Sequence, residues 1–207
     1  SLVCMLGLIY EVSRVYLSHG IYDLICDPRH EFNQGKIVFW MYMYYVSKYI
    51  ELLDTLIIVL RRSELRFIHT YHHVTTMFIT FFGMVTNGTG QWVIILLNVW
   101  VHVIMYYYYM LISMGIRDIW WKMYLTDIQL VQFVVDMIAF TFYIFSDVMY
   151  ERPRGNKCTG SLGGAILGDF IVASFFVLFY RLKMTNLRRM REARERRAAA
   201  AQKSKSE

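Results

Sequence analysis

Hydrophobic positions in this chain come in long blocks, not in the strict alternation of a half-buried strand. Apolar runs cover about residues 2–17, 36–60, 67–86, 91–113, 120–145 and 162–180. Crossing the hydrocarbon core of a bilayer by helix takes roughly 20 mostly apolar residues, and a helix satisfies its backbone hydrogen bonds within its own segment there. The pattern predicts an all-α fold, a polytopic transmembrane helix bundle with six spans in this chain. The first run is short and has no initiating Met, so the chain is expected to begin inside a helix. It shows neither the Arg-rich start nor the small-residue cleavage site of a signal peptide. Connections are mostly short and no fixed-period repeat is visible. The expected organisation is one transmembrane domain over residues 1–180 and a basic cytoplasmic tail over 181–207.

Composition sharpens this. The apolar set makes up 57% of the 207 residues and charged residues only 18%, against about 25% charged in soluble domains. The net charge of +6 is unevenly spread. Residues 181–207 hold ten Lys and Arg against three acidic residues, whereas residues 1–180 hold twelve against thirteen. The basic character belongs to the tail and is no argument for a nucleic-acid-binding body. Cytoplasmic loops carry the excess of Lys and Arg. Arg61, Arg62, Arg66, Arg117, Lys122 and the tail therefore fall on the cytoplasmic side. Loops 18–35, 87–90 and 146–161 fall on the lumenal or exterior side.

Against this background the polar residues inside the spans stand out, because ionisable groups there are costly and usually face a bundle interior or a polar cavity. The second span carries Lys48, Glu51, Asp54 and Thr55, with the three charges at intervals of three on one broad helix face. A buried ion pair of Lys48 with Glu51 would fix packing, but it leaves a carboxylate over. The third span opens with His69, His72 and His73, whose spacing places three rings within roughly 100° of arc. The fourth carries Asn98, His102, Met105, Tyr106, Tyr108 and Tyr109. In the fifth, Thr126, Gln129 and Gln132 are followed one turn on by Asp136; the two amides would equally serve as interhelical glue. Together these stripes describe a polar cavity sunk in an apolar bundle.

Clustered imidazoles bind metal, or act as nucleophile and general base toward an acyl group. A histidine-box desaturase or hydroxylase that holds two metals needs more histidines than this chain supplies. Of its six, His19 and His30 fall in a loop on the opposite side. Metal chemistry is the second reading. A transporter with a buried polar path is a third, although no inverted repeat or Gly/Pro-broken helix pair supports it.

Taken in order, Lys48-x-x-Glu51-x-x-Asp54-Thr55, His69-x-x-His72-His73, Asn98-x-x-x-His102-x-x-Met105-Tyr106-x-Tyr108-Tyr109 and Thr126-x-x-Gln129-x-x-Gln132 resemble the ELO family of very-long-chain fatty acid elongases over about residues 2–180. The family looks seven-helical, so the resemblance implies that its first helix is absent from this chain. It implies a very-long-chain 3-oxoacyl-CoA synthase, which condenses acyl-CoA with malonyl-CoA to 3-oxoacyl-CoA, CO2 and CoA. Carried over, the acyl-imidazole nucleophile is His72, with His69, His73 and His102 positioning groups or moving protons. Lys48, Glu51, Asp54, Asn98, Tyr106, Tyr109, Gln129 and Gln132 are the expected substrate-binding residues.

No metal and no cofactor beyond the two CoA substrates are expected. Expected partners are acyl-CoA, malonyl-CoA, the lipid bilayer and the reductases and dehydratase of an elongation cycle, with no nucleic acid. Chain length would depend on where bulky residues such as Phe78, Phe82, Phe133 and Phe140 close the apolar tunnel. Topology places Cys26 and Cys158 on one non-cytoplasmic side, and the resemblance also implies a cysteine pair near these positions; two free thiols are the alternative. Asn87-Gly88-Thr89 is a formal glycosylation sequon in a loop too short to lift it off the bilayer, so no glycan is expected. Lys203 and Lys205 resemble a di-lysine retrieval signal, implying the endoplasmic reticulum membrane with a cytoplasmic C-terminus. Alternatively, they extend a solvated basic helix.

Overall fold

The structure, a computed structural model, describes residues 2–27, 35–60, 62, 67–116 and 118–206. The side chains of Asp54, Ile58, Arg197 and residues 200, 201 and 203–206 fall outside that description, as do Arg61, Arg66 and Arg117 entirely. The expectations placed on Asp54, Arg61, Arg66, Arg117, Lys203 and Lys205 therefore lie outside the described residues.

Six α-helices follow one another: α1 (Leu2–Ile25), α2 (Lys36–Leu60), α3 (Phe67–Val85), α4 (Gln91–Ser113), α5 (Leu125–Phe145) and α6 (Leu162–Ser206). No strand occurs among the described residues. The turn Trp120–Tyr124 winds as a 3-10 helix into α5, and a π turn over Ser146–Glu151 follows it. Helix α4 ends where Gly115 takes φ 86°. The Gly115 amide then reaches Ile112 O at 3.0 Å and the Ile116 amide reaches Leu111 O at 3.1 Å, which satisfies two terminal carbonyls at no Cβ penalty.

Two boundaries differ from the sequence expectation. The first helix does not stop near residue 17 but runs to Ile25, across a break at Gly20 (φ 83°, ψ 177°). Ser18, His19 and Asp23 dilute the apolar signal there, yet Leu24 and Ile25 are buried and anchor the segment. The basic tail is not a separate element either. Helix α6 passes residue 180 without interruption, and an ion pair between Lys183 and Asp127 ties its continuation to the start of α5.

Neighbour packing closes the six helices into a ring. Helix α1 lies against α2 and α4, α2 against α3, α3 against α6, α6 against α5, and α5 against α4. The outside of that ring is apolar: Leu17, Phe170, Leu60 and Trp120 are 72–83% exposed. A soluble monomer rarely leaves so much apolar surface in water. Three stretches, Gln91–Ser113, Trp120–Arg154 and Leu162–Arg196, are each long and apolar enough to cross a membrane. In α1–α3 the polar groups that lower hydropathy include buried ones. Glu11 pairs with Arg14 at 3.0 Å, and Lys48 with Glu51 at 2.8 Å. The chain is a multi-pass helical membrane protein.

At one end of the ring the chain is knotted shut. Cys26 and Cys158 form a disulfide, both sulfurs buried. The Thr159 amide reaches Cys26 O at 2.8 Å, the Thr159 hydroxyl donates to Asp27 O, and the Cys158 amide reaches Asp147 Oδ1 at 2.9 Å. The Thr89 hydroxyl approaches the carbonyls of Ile25 and Thr159, both at 2.9 Å. Gly160 sits at φ 118°, where a Cβ would stand 3.0 Å from the Tyr143 hydroxyl and 3.1 Å from Gly88 Cα. Only glycine fits that crossing.

Candidate active site

At the other end, the polar stripes converge. Lys48 is 1% exposed, and its ammonium donates to both oxygens of Glu51 at 2.8 and 2.9 Å and to Asn98 Oδ1 at 3.0 Å. The Tyr44 hydroxyl donates to the same Asn98 oxygen at 2.7 Å, and the ammonium lies 4.4 Å from the Tyr44 ring centre. A lone charge would be severely destabilising in such a place, and a fully hydrogen-bonded pair is the tolerable form. Glu51 also faces two imidazoles: His102 Nδ1 at 3.5 Å and His73 Nδ1 at 3.9 Å. Helices α2, α3 and α4 thus bring one cation, one carboxylate, one amide and two rings to a single buried cluster.

The three histidines of α3 divide their work. His69 and His73, four residues apart, have ring centres 4.4 Å from each other. His69 Nε2 lies 3.0 Å from the Thr55 hydroxyl of α2. His72 turns elsewhere. Its ring lies 4.9 Å from that of Phe175 on α6 and 6.3 Å from that of His102. His72 also lines the cavity within the ring. Its Nδ1 is buried without a hydrogen-bond partner among the described residues, which leaves one ring nitrogen available for chemistry.

That cavity is partly open and holds about 100 Å³ of interior space, and its walls come from α2 to α6. Along α3 it extends from His72 to Thr86. At 1.5 Å per residue this is about 20 Å, long enough for an extended hydrocarbon chain. Its far end is floored by Gly88, Gly90, Tyr143 and Ser161, next to the disulfide knot. Phe82 and Phe140 pack against α6, where a Cβ on Gly164 would stand 2.8 Å from Phe82 and one on Gly168 2.5 Å from Phe140. Glycines on α6 make room for those rings.

Most expected site residues meet here. Lys48, Glu51, His73, Asn98 and His102 form the cluster, and His72, Asn98 and Gln132 line the cavity. Tyr106 stands edge-on to His102 at 5.8 Å. Two expected residues do not take part. Tyr109 is 53% exposed, and half-buried Gln129 is not among the cavity walls. Phe78 likewise is 53% exposed and stacks on Phe82, whereas Phe82, Phe133 and Phe140 line the cavity as anticipated. The sequence reading missed Tyr44, Thr76, Gln91 and Phe175. Tyr44 had a signal, since it lies four residues before Lys48 on the same face. Among the described residues no group of three or more His, Cys, Asp and Glu side chains is arranged to hold a metal ion.

A ring of membrane helices around a long apolar cavity, with imidazoles and a buried Lys–Glu pair at one end, is an architecture suited to acyl chemistry in a bilayer. The model of the ELO, or GNS1/SUR4, family matches residues 1–194, and the chain belongs to that family. It is 35% identical to fatty acid elongase A of Dictyostelium discoideum over 86% of this chain and 64% of that protein. It is 34% identical to fatty acid elongase sre1 of the same organism over 84% and 63%. With very long chain fatty acid elongase 7 of Rattus norvegicus it shares 39% identity over 57% of this chain and 44% of the relative. The chain thus spans less than two thirds of the length of these relatives. No solved structure matches it.

Proposed function

We propose that this chain carries the catalytic core of a fatty acid elongase, which condenses a long-chain acyl-CoA with malonyl-CoA to a 3-oxoacyl-CoA, CO2 and free CoA. The observation that carries this reading is the position of His72, a buried imidazole with an unpartnered nitrogen at the head of a long apolar cavity. In the first step His72 attacks the thioester carbonyl. The carbon–sulfur bond breaks, CoA leaves as the thiol with the imidazole proton, and the acyl group remains on nitrogen. In the second, malonyl-CoA loses CO2, the resulting carbanion attacks the acyl carbon, and the carbon–nitrogen bond breaks as the departing imidazole takes up one proton from solvent.

Supporting groups are at hand. The Lys48–Glu51 pair with His73 and His102, all buried, supplies fixed charge and donors close to the developing oxyanion. The chain beyond the carbonyl lies along the cavity toward the disulfide knot. Exposed Arg62 and Lys122, on the side assigned to the cytoplasm, meet the CoA phosphates. The basic continuation of α6, ending in Lys203 and Lys205, supports residence in the endoplasmic reticulum membrane with a cytoplasmic C-terminus. There the reductases and dehydratase of an elongation cycle would take up the product.

Purified protein in lipid nanodiscs, given acyl-CoAs of graded length and labelled malonyl-CoA, tests the reading. Labelled 3-oxoacyl-CoA two carbons longer than the substrate is the expected product. Its absence at every length, with labelled malonyl-CoA recovered intact, would refute it.

A further inference from the structure

The cavity wall carries a carboxyl group that the chemistry at His72 does not use. Asp136, on α5, is 1% exposed and lines the cavity with Phe133, Ile171 and Val172 for neighbours along the walls. Gln132 Nε2 donates to its Oδ2 at 3.2 Å. Its Oδ1 is buried with no hydrogen-bond partner among the described residues. Thr76, on α3, lines the same cavity, and its hydroxyl is also buried and without a partner there. Native proteins rarely leave such groups unsatisfied, since each orphan donor or acceptor carries its desolvation cost. The buried ammonium of α2, Lys48, is already held by Glu51 and Asn98.

We propose that Asp136 and Thr76 form a polar subsite that binds a hydroxyl group carried by the acyl chain close to its thioester end. The inference rests on the elongase reading above and adds a substrate class to it. Depth is set by the helices. Thr76 follows His72 by four residues and Asp136 follows Gln132 by four, so each lies one turn, about 6 Å, further into the cavity. A chain whose carbonyl sits at His72 passes them with its first few carbons. The ligand chemistry follows from the two groups. A hydroxyl both donates and accepts, so it satisfies a carboxyl oxygen and a threonine hydroxyl together, in either protonation state of the acid. A carboxylate on the chain would instead bring an unpaired charge into an apolar tunnel.

The test uses acyl-CoAs of one length bearing a single hydroxyl at successive carbons, with the unsubstituted acyl-CoA as reference. For wild type, kcat/KM is expected to peak at one or two adjacent hydroxyl positions, about tenfold or more above positions deeper in the chain, because a site built to bond a hydroxyl discriminates strongly against chains that do not present one there. The combined Asp136→Leu and Thr76→Val variant should lose that peak. Asp136→Asn, which keeps both a donor and an acceptor, should retain it even if the apolar variant proves unstable. A flat positional profile in wild type, or the same peak in Asp136→Leu/Thr76→Val, would overturn the subsite. Elongation of the unsubstituted chain with a flat profile removes only this inference, whereas no elongation of any substrate removes the elongase reading itself.

Discussion

Lys48 and Glu51 are the residues whose burial demands most from their surroundings. Each satisfies the other, Asn98 takes a further ammonium proton, and Tyr44 holds Asn98 in place. Removing one partner strands a charge. Lys48→Met or Glu51→Gln alone is expected to cost about 3–5 kcal/mol of stability, and Lys48→Met with Glu51→Leu to recover a large part of it. Thermal unfolding in detergent measures this, and single variants that melt with wild type would show that the pair carries no such strain. These residues were legible in the sequence because a charge inside an apolar block is conspicuous. Thr76 was not, since a threonine in such a block looks like ordinary packing until its neighbours are known, and Tyr44 was marked only by its spacing from Lys48. Gln129 and Tyr109 lie off the cavity walls, and spacing could not show that: it fixes the arc between side chains but not which part of the arc faces inward.

Among the elements, α2, α3 and α4 begin and end close to where the apolar blocks do, since a bilayer-length run admits few alternatives. The exceptions were α1, whose last turns are held by buried Leu24 and Ile25, and α6, which runs on without a break where its apolar block gives way to charge. The turn between α3 and α4 bears on the sequon. Asn87 is exposed, but Thr89 is 4% exposed and its hydroxyl is committed to the carbonyls of Ile25 and Thr159. The protein expressed in a glycosylating cell should therefore show no mass change with glycosidase. A glycosidase-sensitive shift would mean that this turn detaches from the knot. On α6, Gly168 leaves room for the Phe140 ring, and Gly168→Val should force that ring into the cavity. Products of the variant are expected to be shorter than those of wild type. An unchanged length distribution would place the limiting constriction elsewhere.

Across the whole molecule, a closed ring of helices and a knotted end leave the cavity one chemically equipped end. The disulfide bridges residues 132 apart in sequence, joining the end of α1 to the loop before α6. Topology placed both cysteines on one side; the hydrogen bonds around them depend on tertiary packing that no spacing encodes. Cys26→Ala with Cys158→Ala is expected to cost about 4–5 kcal/mol by loop entropy, read as a lowered unfolding temperature. Non-reducing peptide maps that find both thiols alkylatable in the native protein would contradict the bond. The central claim is that the cavity receives an acyl chain whose carbonyl carbon becomes bonded to His72. Protein mixed with acyl-CoA alone, before any malonyl-CoA is added, tests it most directly through released CoA and intact mass. One equivalent of CoA and an acyl mass increment on the peptide containing His72, both lost in His72→Ala, is the predicted result. No CoA release from wild type until malonyl-CoA arrives, or an equal release from His72→Ala, would contradict it.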